Sequence, residues 1–138
     1  YDIMPSLVGS EMCIRDRLSI DNNKLATIVG DGIIISTPLG STAYNLSNLG
    51  PAVDDTLDCF IVNPVLSLTY VSPIVLSASK KITISVPRLE SSLLIDGYLR
   101  RVSKDASIEI ARSPIHTVFI RLSGGSWLVK RLGKRLRW

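Results

Sequence analysis

The residues best suited to chemistry lie in one stretch, Gly30-Asp31-Gly32-Ile33-Ile34-Ile35-Ser36-Thr37-Pro38-Leu39-Gly40-Ser41-Thr42-Ala43-Tyr44-Asn45-Leu46-Ser47. It brings a carboxylate, several hydroxyls and an aromatic ring together with glycines, which allow a backbone to approach a ligand closely. A helix starting near Ser41 would add unpaired N–H groups, which favour anions. Such a corner suits a nucleotide: Asp31 can accept hydrogen bonds from ribose or amide groups, and Tyr44 can stack or hydrogen-bond. The same glycines and serine also fit plain helix punctuation, and composition does not separate the two readings.

Positioning that corner requires a strand, a bend and a short helix. Ile33 to Thr37 has the β-branched richness of a strand buried on both faces, and Pro38 with Gly40 ends it. Ser41 is expected to cap a helix through Thr42–Ser47, which Gly50-Pro51 stops. Upstream, a short strand from Leu18, the turn residues Asp21-Asn22-Asn23 and a strand over Lys24–Val29 read as a hairpin, with Gly30-Asp31-Gly32 as a second turn. Downstream, short apolar segments recur at Cys59–Asn63, Ile74–Leu76, Ile82–Val86, Leu93–Ile95, Ser107–Ala111, Thr117–Leu122 and Trp127–Val129, and all are expected to be strands. The alternation in Ile82-Thr83-Ile84-Ser85-Val86 and Ile108-Glu109-Ile110 is that of a sheet with one wet face. The expected fold is mainly β, an antiparallel sandwich with one short helix. Too few helical segments exist for a complete α/β nucleotide-binding fold.

The rest of the composition removes whole classes of function. At 138 residues and 46% hydrophobic, the chain fits one domain with a real core. No run approaches the roughly 20 apolar residues of a membrane-spanning helix, so no membrane association is expected. Cys13 and Cys59 form neither a metal spacing nor a disulfide framework, which favours a reducing compartment. The net charge of +4 is concentrated in the tail from Lys130 to Trp138, expected to be a solvated terminus and not a nucleic-acid site. His116 has no Ser or Cys partner arranged for a triad and is expected in a turn, and Asp54, Asp55 and Asp58 match no Ca²⁺ loop. With no signal peptide in view, a cytoplasmic location is expected. Residues 1–17 have no clear period, and Ser6–Arg17 resembles a translated sequencing adapter. That segment is expected to be non-native, with the domain occupying residues 18–138.

The order Asp-Gly, an apolar strand, Thr-Pro-x-Gly-Ser-Thr-Ala-Tyr and a serine three residues later, here Asp31 to Ser47, resembles the signature of the NAD kinase family. The resemblance continues through Gly50-Pro51, Leu57-Asp58, Pro73-Ile74-Val75-Leu76 and Leu94-Ile95-Asp96-Gly97 to the Trp-bearing end. It implies the C-terminal, NAD-binding β domain of an enzyme that phosphorylates the 2′-hydroxyl of the adenosine ribose of NAD to give NADP. An N-terminal α/β domain would supply the catalytic Gly-Gly-Asp-Gly and Asn-Glu motifs, neither of which appears here, so this chain alone is expected to be inactive. The donor would be ATP or polyphosphate with Mg²⁺ or another divalent cation, and the assembly a homo-oligomer, dimer or tetramer.

Carried over position by position, the resemblance implies that Thr42, Ala43, Tyr44, Asn45 and Ser47 line the NAD pocket. Asp31 would face the nicotinamide side at a subunit interface, while Asp96 and Tyr98 are weaker candidates for the ribose end, where a plain hairpin turn is the alternative. Three places depart from the family pattern, the first being Leu39, where the family commonly has Thr, Ser or another small residue. Asn48-Leu49 replaces Ala-Gly before Gly50-Pro51, and Asn63-Pro64-Val65-Leu66-Ser67-Leu68 lacks the usual Pro-His-Ser-Leu, although Leu66 can still border the ligand. The rival functions are a non-catalytic NAD-binding or assembly module and a fragment of a related lipid kinase.

Overall fold

The computed structural model describes residues 14–87, 91–115, 117–120 and 127–135. Nine strands make three antiparallel sheets among these residues. The first pair, β1 (Ile14–Ile20) and β2 (Asn23–Gly30), is joined by a tight turn at Asp21-Asn22. Both turn residues have positive φ, 48° and 66°, the conformation that matches the twist of a two-residue hairpin and that Asp and Asn tolerate best. β6 (Ile82–Val86) pairs with β1, and β9 (Ala106–Ile110) with β6, giving the order β2-β1-β6-β9.

The second sheet is β3 (Gly32–Ser36), β4 (Cys59–Val65) and β5 (Ile74–Ser77), with β4 in the middle. Alternate faces of β4 do different work. Phe60 and Val62 join Leu18, Ile28, Ala78, Ile82 and Ile84 in the main core, which therefore draws on both sheets and makes them a sandwich. Cys59 and Ile61 point the other way and pack with Val53. β4 is thus the strand buried on both faces. β3, the other strand expected to be so, is half-buried along its length because it lies at the edge of its sheet.

The third sheet is a two-stranded ribbon, β7 (Ser91–Ile95) and β8 (Tyr98–Val102), closed by Asp96-Gly97, both at positive φ. β8 was not among the expected strands, since Leu99-Arg100-Arg101 shows no apolar alternation; the Asp-Gly turn is the signal for it. Leu94, Ile95, Tyr98 and Leu99 are exposed, as are Ile115, Val118, Phe119 and Ile120 in the following segment.

Two expectations fail at the C-terminal end. Trp127–Val129 is not a strand but opens a helix, Trp127–Arg135. Leu128 and Leu132 recur at helical spacing and are half-buried, while Lys130, Arg131 and Lys134 are exposed, so the segment has one apolar stripe and no alternation. Residues 117–120 carry no strand pairing, and 121–122 lie outside the described residues, as do His116 and Cys13. No helix of the described residues is long and apolar enough to cross a membrane.

Candidate functional site

The corner after β3 is built differently from the capped helix its sequence suggests. A 3-10 turn, Leu39–Thr42, is followed at Ala43 by a break (φ −97°, ψ −126°) and then by one turn of α-helix, Tyr44–Ser47, which we label α1. Ser41 caps neither piece. It is fully buried, its Oγ donates to the carbonyl of Pro38 at 2.6 Å, and it accepts the backbone N–H of Val53 at 3.0 Å. The serine therefore ties the bend to the strap that returns beneath it. The helix labelled α2 hereafter, Trp127–Arg135, runs beside the 3-10 turn.

Asn45 and Asn63 form the centre of the corner. Asn45 is 1% exposed, and its Nδ2 donates to the carbonyls of Ser41 at 3.0 Å and Pro51 at 2.9 Å. Asn63, 2% exposed, reaches up from β4 on the side shared with Ile61. Its Nδ2 donates to Asn45 Oδ1 at 3.0 Å, to the Asn45 carbonyl at 3.3 Å and to the Asn48 carbonyl at 3.2 Å. Asn48 in turn donates from Nδ2 to the carbonyl of Pro64 at 2.8 Å. A continuous chain of hydrogen bonds so runs from Val53 through Ser41, Asn45, Asn63 and Asn48 to the end of β4. Gly50 closes it: a Cβ there would lie 2.5 Å from Asn45 Cγ and from Asn63 Nδ2. Leu49 just before it takes φ 58°, which swings the backbone out of the helix.

The expected site residues divide by exposure. Ala43, Tyr44 and Ser47 are exposed, Tyr44 at 64%, and present the outer face of the corner. Thr42 and Asn45 are buried, so their side chains face inward; Thr42 Oγ1 has no hydrogen-bond partner among the described residues. Asp31 is exposed, and its N–H donates to the Val65 carbonyl at 3.0 Å. It therefore adjoins the same end of β4 that holds Asn48. Leu66, 72% exposed, follows directly, and Gly30 approaches its carbonyl so closely that a Cβ would meet it at 3.1 Å. Asp96 and Tyr98 are elsewhere, exposed at the turn of the β7–β8 ribbon. Asn63, which sequence reasoning passed over as part of a strand, is a buried polar residue in the middle of an apolar run, and that is the signal that could have found it.

The geometry has the makings of a rigid ledge: a backbone held from below by buried amides, with one aromatic ring and small hydroxylated or methyl side chains on top. Residues 6–122 match the family model described as the ATP-NAD kinase C-terminal domain. The chain belongs to the NAD kinase family. Over 127 residues it is 36% identical to an NAD kinase of Methanopyrus kandleri, covering 91% of this chain and 45% of that protein. The fold is similar to the crystal structure of an NAD kinase from Archaeoglobus fulgidus in complex with ATP, with TM-score 0.67 and 30% identity over 78% of this chain and 42% of that one. It is also similar to yeast NADH kinase complexed with NADH, with TM-score 0.66 and 25% identity over 75% of this chain and 32% of that one. This NAD kinase family chain thus spans less than half the length of the relatives it matches.

Two further reactive groups, Asp58 and Cys59, lie at the start of β4. Burial pushes the Cys59 thiol above its ordinary pKa, and the Asp58 charge adds to the effect, so the thiolate is disfavoured. Asp58 itself pairs with Arg112 at 2.6 Å on the surface. Among the described residues, no group of three or more His, Cys, Asp or Glu could hold a metal ion.

Proposed function

We propose that this chain is the dinucleotide-holding domain of an enzyme that phosphorylates the 2′-hydroxyl of the adenosine ribose of NAD. The observation that carries the reading is the exposed Tyr44 ledge on a backbone pinned by buried hydrogen bonds, in a chain of this family. Ala43, Tyr44 and Ser47 meet the dinucleotide directly, with Tyr44 against the base or a phosphate. Thr42 and Asn45 contribute through their backbone, since their side chains face inward. Asp31 lies on the nicotinamide side, and Asp96 and Tyr98 serve the ribose end only if a second subunit or a rearranged ribbon brings them to it.

In the transfer, a bond forms between the ribose 2′ oxygen and the transferred phosphorus, the donor's terminal phosphoanhydride bond breaks, and the hydroxyl proton passes to a base. That base belongs to the Gly-Gly-Asp-Gly segment expected outside this chain. Phosphoryl transfer depends chiefly on alignment and charge stabilisation, so a domain without a catalytic base can still govern the rate. The divalent cation travels with the ATP or polyphosphate donor, and among the described residues no cluster of carboxylates, His or Cys would cage it. The exposed apolar residues of the β7–β8 ribbon, with Ile115, Val118, Phe119 and Ile120, support assembly with further copies, which would cover them. The protein acts in the cytoplasm.

Equilibrium dialysis of NAD against the chain tests the reading, together with an assay for NADP formation with Mg²⁺-ATP. The expected result is saturable NAD binding without turnover. Absence of binding at millimolar NAD contradicts the holding role, and turnover that survives removal of host enzymes contradicts the division of labour.

A further inference from the structure

We infer that Asn63 is a positioning residue for the dinucleotide, and that the stretches around Asn48 and Asn63 work as one latch. Asn48-Leu49 and Asn63-Pro64 are separated in sequence but bonded to each other twice: Asn63 Nδ2 to the Asn48 carbonyl at 3.2 Å, and Asn48 Nδ2 to the Pro64 carbonyl at 2.8 Å. Each stretch places a side-chain amide where the other provides a carbonyl acceptor. Between them Asn63 also grips both oxygens of Asn45, whose own amide holds Ser41 and Pro51. Gly50 fits over the pair with no room for a methyl group.

The consequence falls on Tyr44. It is the residue immediately before Asn45 and largely exposed, so packing of its ring does little to fix it; the backbone on either side does. Buried networks in which each donor finds an acceptor rigidify what they hold, and a binding surface set before the ligand arrives loses less conformational freedom on binding. Asn63, without facing the ligand side, thereby sets how well Tyr44 and Ala43 are presented. The inference rests on the dinucleotide-holding role proposed above.

The test uses the 138-residue chain with Asn63→Asp, which replaces the donor by an oxygen facing three acceptor oxygens, and Asn63→Ser, which retains one donor and is the milder change. Two readouts are taken: amide hydrogen exchange without ligand, and NAD affinity. The latch predicts exchange at Asn48 and Gly50 faster by about ten-fold or more in Asn63→Asp, with β1 and β6 amides still protected. It predicts NAD binding weaker by about ten-fold or more, the loss expected when buried hydrogen bonds go, and an intermediate loss in Asn63→Ser. Tyr44→Ala should weaken NAD binding while leaving exchange at the corner unchanged, which separates contact from positioning. Unchanged corner exchange in both Asn63 variants overturns the latch. Faster exchange with unchanged NAD affinity overturns its positioning role. Failure of the unaltered chain to bind NAD overturns the dinucleotide reading and the role claimed for Asn63 within it, while the exchange data still decide whether the latch exists.

Discussion

Two buried polar regions of this domain are built on opposite terms. At the corner, Ser41, Asn45 and Asn63 are buried with their side chains hydrogen-bonded to backbone carbonyls, an N–H and one another, and Thr42 Oγ1 is the one buried side-chain oxygen there without a partner among the described residues. At the start of β1, Asp16 is also buried, 7% exposed, but its Oδ1 has no hydrogen-bond partner among the described residues. It stands opposite Ile28, on the inward side of a strand whose next inward residue is Leu18. Burial raises its pKa from 3.8 to about 6. Buried polar groups persist where the protein gives them partners, because leaving one unpaired costs roughly 1–3 kcal/mol. The corner therefore has the character of a built site, whereas Asp16 occupies a position that the pattern of β1 reserves for an apolar side chain. Asp16 also lies in the Ser6–Arg17 stretch expected to be foreign to the domain, and strand β1 begins within that stretch, four residues before Leu18.

The contrast can be broken first at the corner. Gly50→Ala forces a methyl group into Asn45 and Asn63, and should cost about 3 kcal/mol in urea unfolding, the upper end of overpacking penalties. A change below about 0.5 kcal/mol would show that the corner yields easily. At the other region the sign reverses: Asp16→Val should raise stability by about 2 kcal/mol, since it replaces a buried carboxyl whose Oδ1 is unpaired among the described residues by an apolar side chain of similar size. Loss of stability there would mean that the carboxylate has a partner after all.

Titration sharpens the same point. Because the folded pKa of Asp16 is raised, the folded state holds its proton more tightly than the unfolded chain, and stability falls as pH rises from about 4 through about 6. The drop should be at most about 2 kcal/mol given partial solvent access, and absent in Asp16→Val. The smallest expected effect on stability is Tyr44→Ala, within about 0.5 kcal/mol because the ring is exposed, although NAD binding should weaken.

The strands of the sandwich were legible where alternation or a dense apolar run marked them, as in Ile82–Val86 and in Cys59–Asn63, which the structure extends to Val65. The turn residues Asp21-Asn22 announced their hairpin. Trp127–Val129 misled because three apolar residues fit either period, and only the continuation to Leu132 reveals a helix. The corner was legible as a location but not as a construction. Ser41 has the right type for a cap, yet its hydroxyl is taken by Pro38 three residues back and by Val53, a partner that local sequence does not disclose. Asn45 was assigned to the pocket lining through the family resemblance, while its amide is directed into the fold by Asn63, eighteen positions away in the chain. Long-range hydrogen bonds of this kind leave no periodic trace.

The central claim is that the Ala43–Ser47 ledge beside Asp31 is where the dinucleotide sits. Titrating NAD into the isotopically labelled chain and following backbone amide shifts tests it most directly. The account predicts saturable shifts concentrated at Ala43, Tyr44, Ser47 and Asp31, with the amides of β6 and β9 undisturbed. Saturable shifts centred on the β7–β8 ribbon, with the ledge silent, would contradict it.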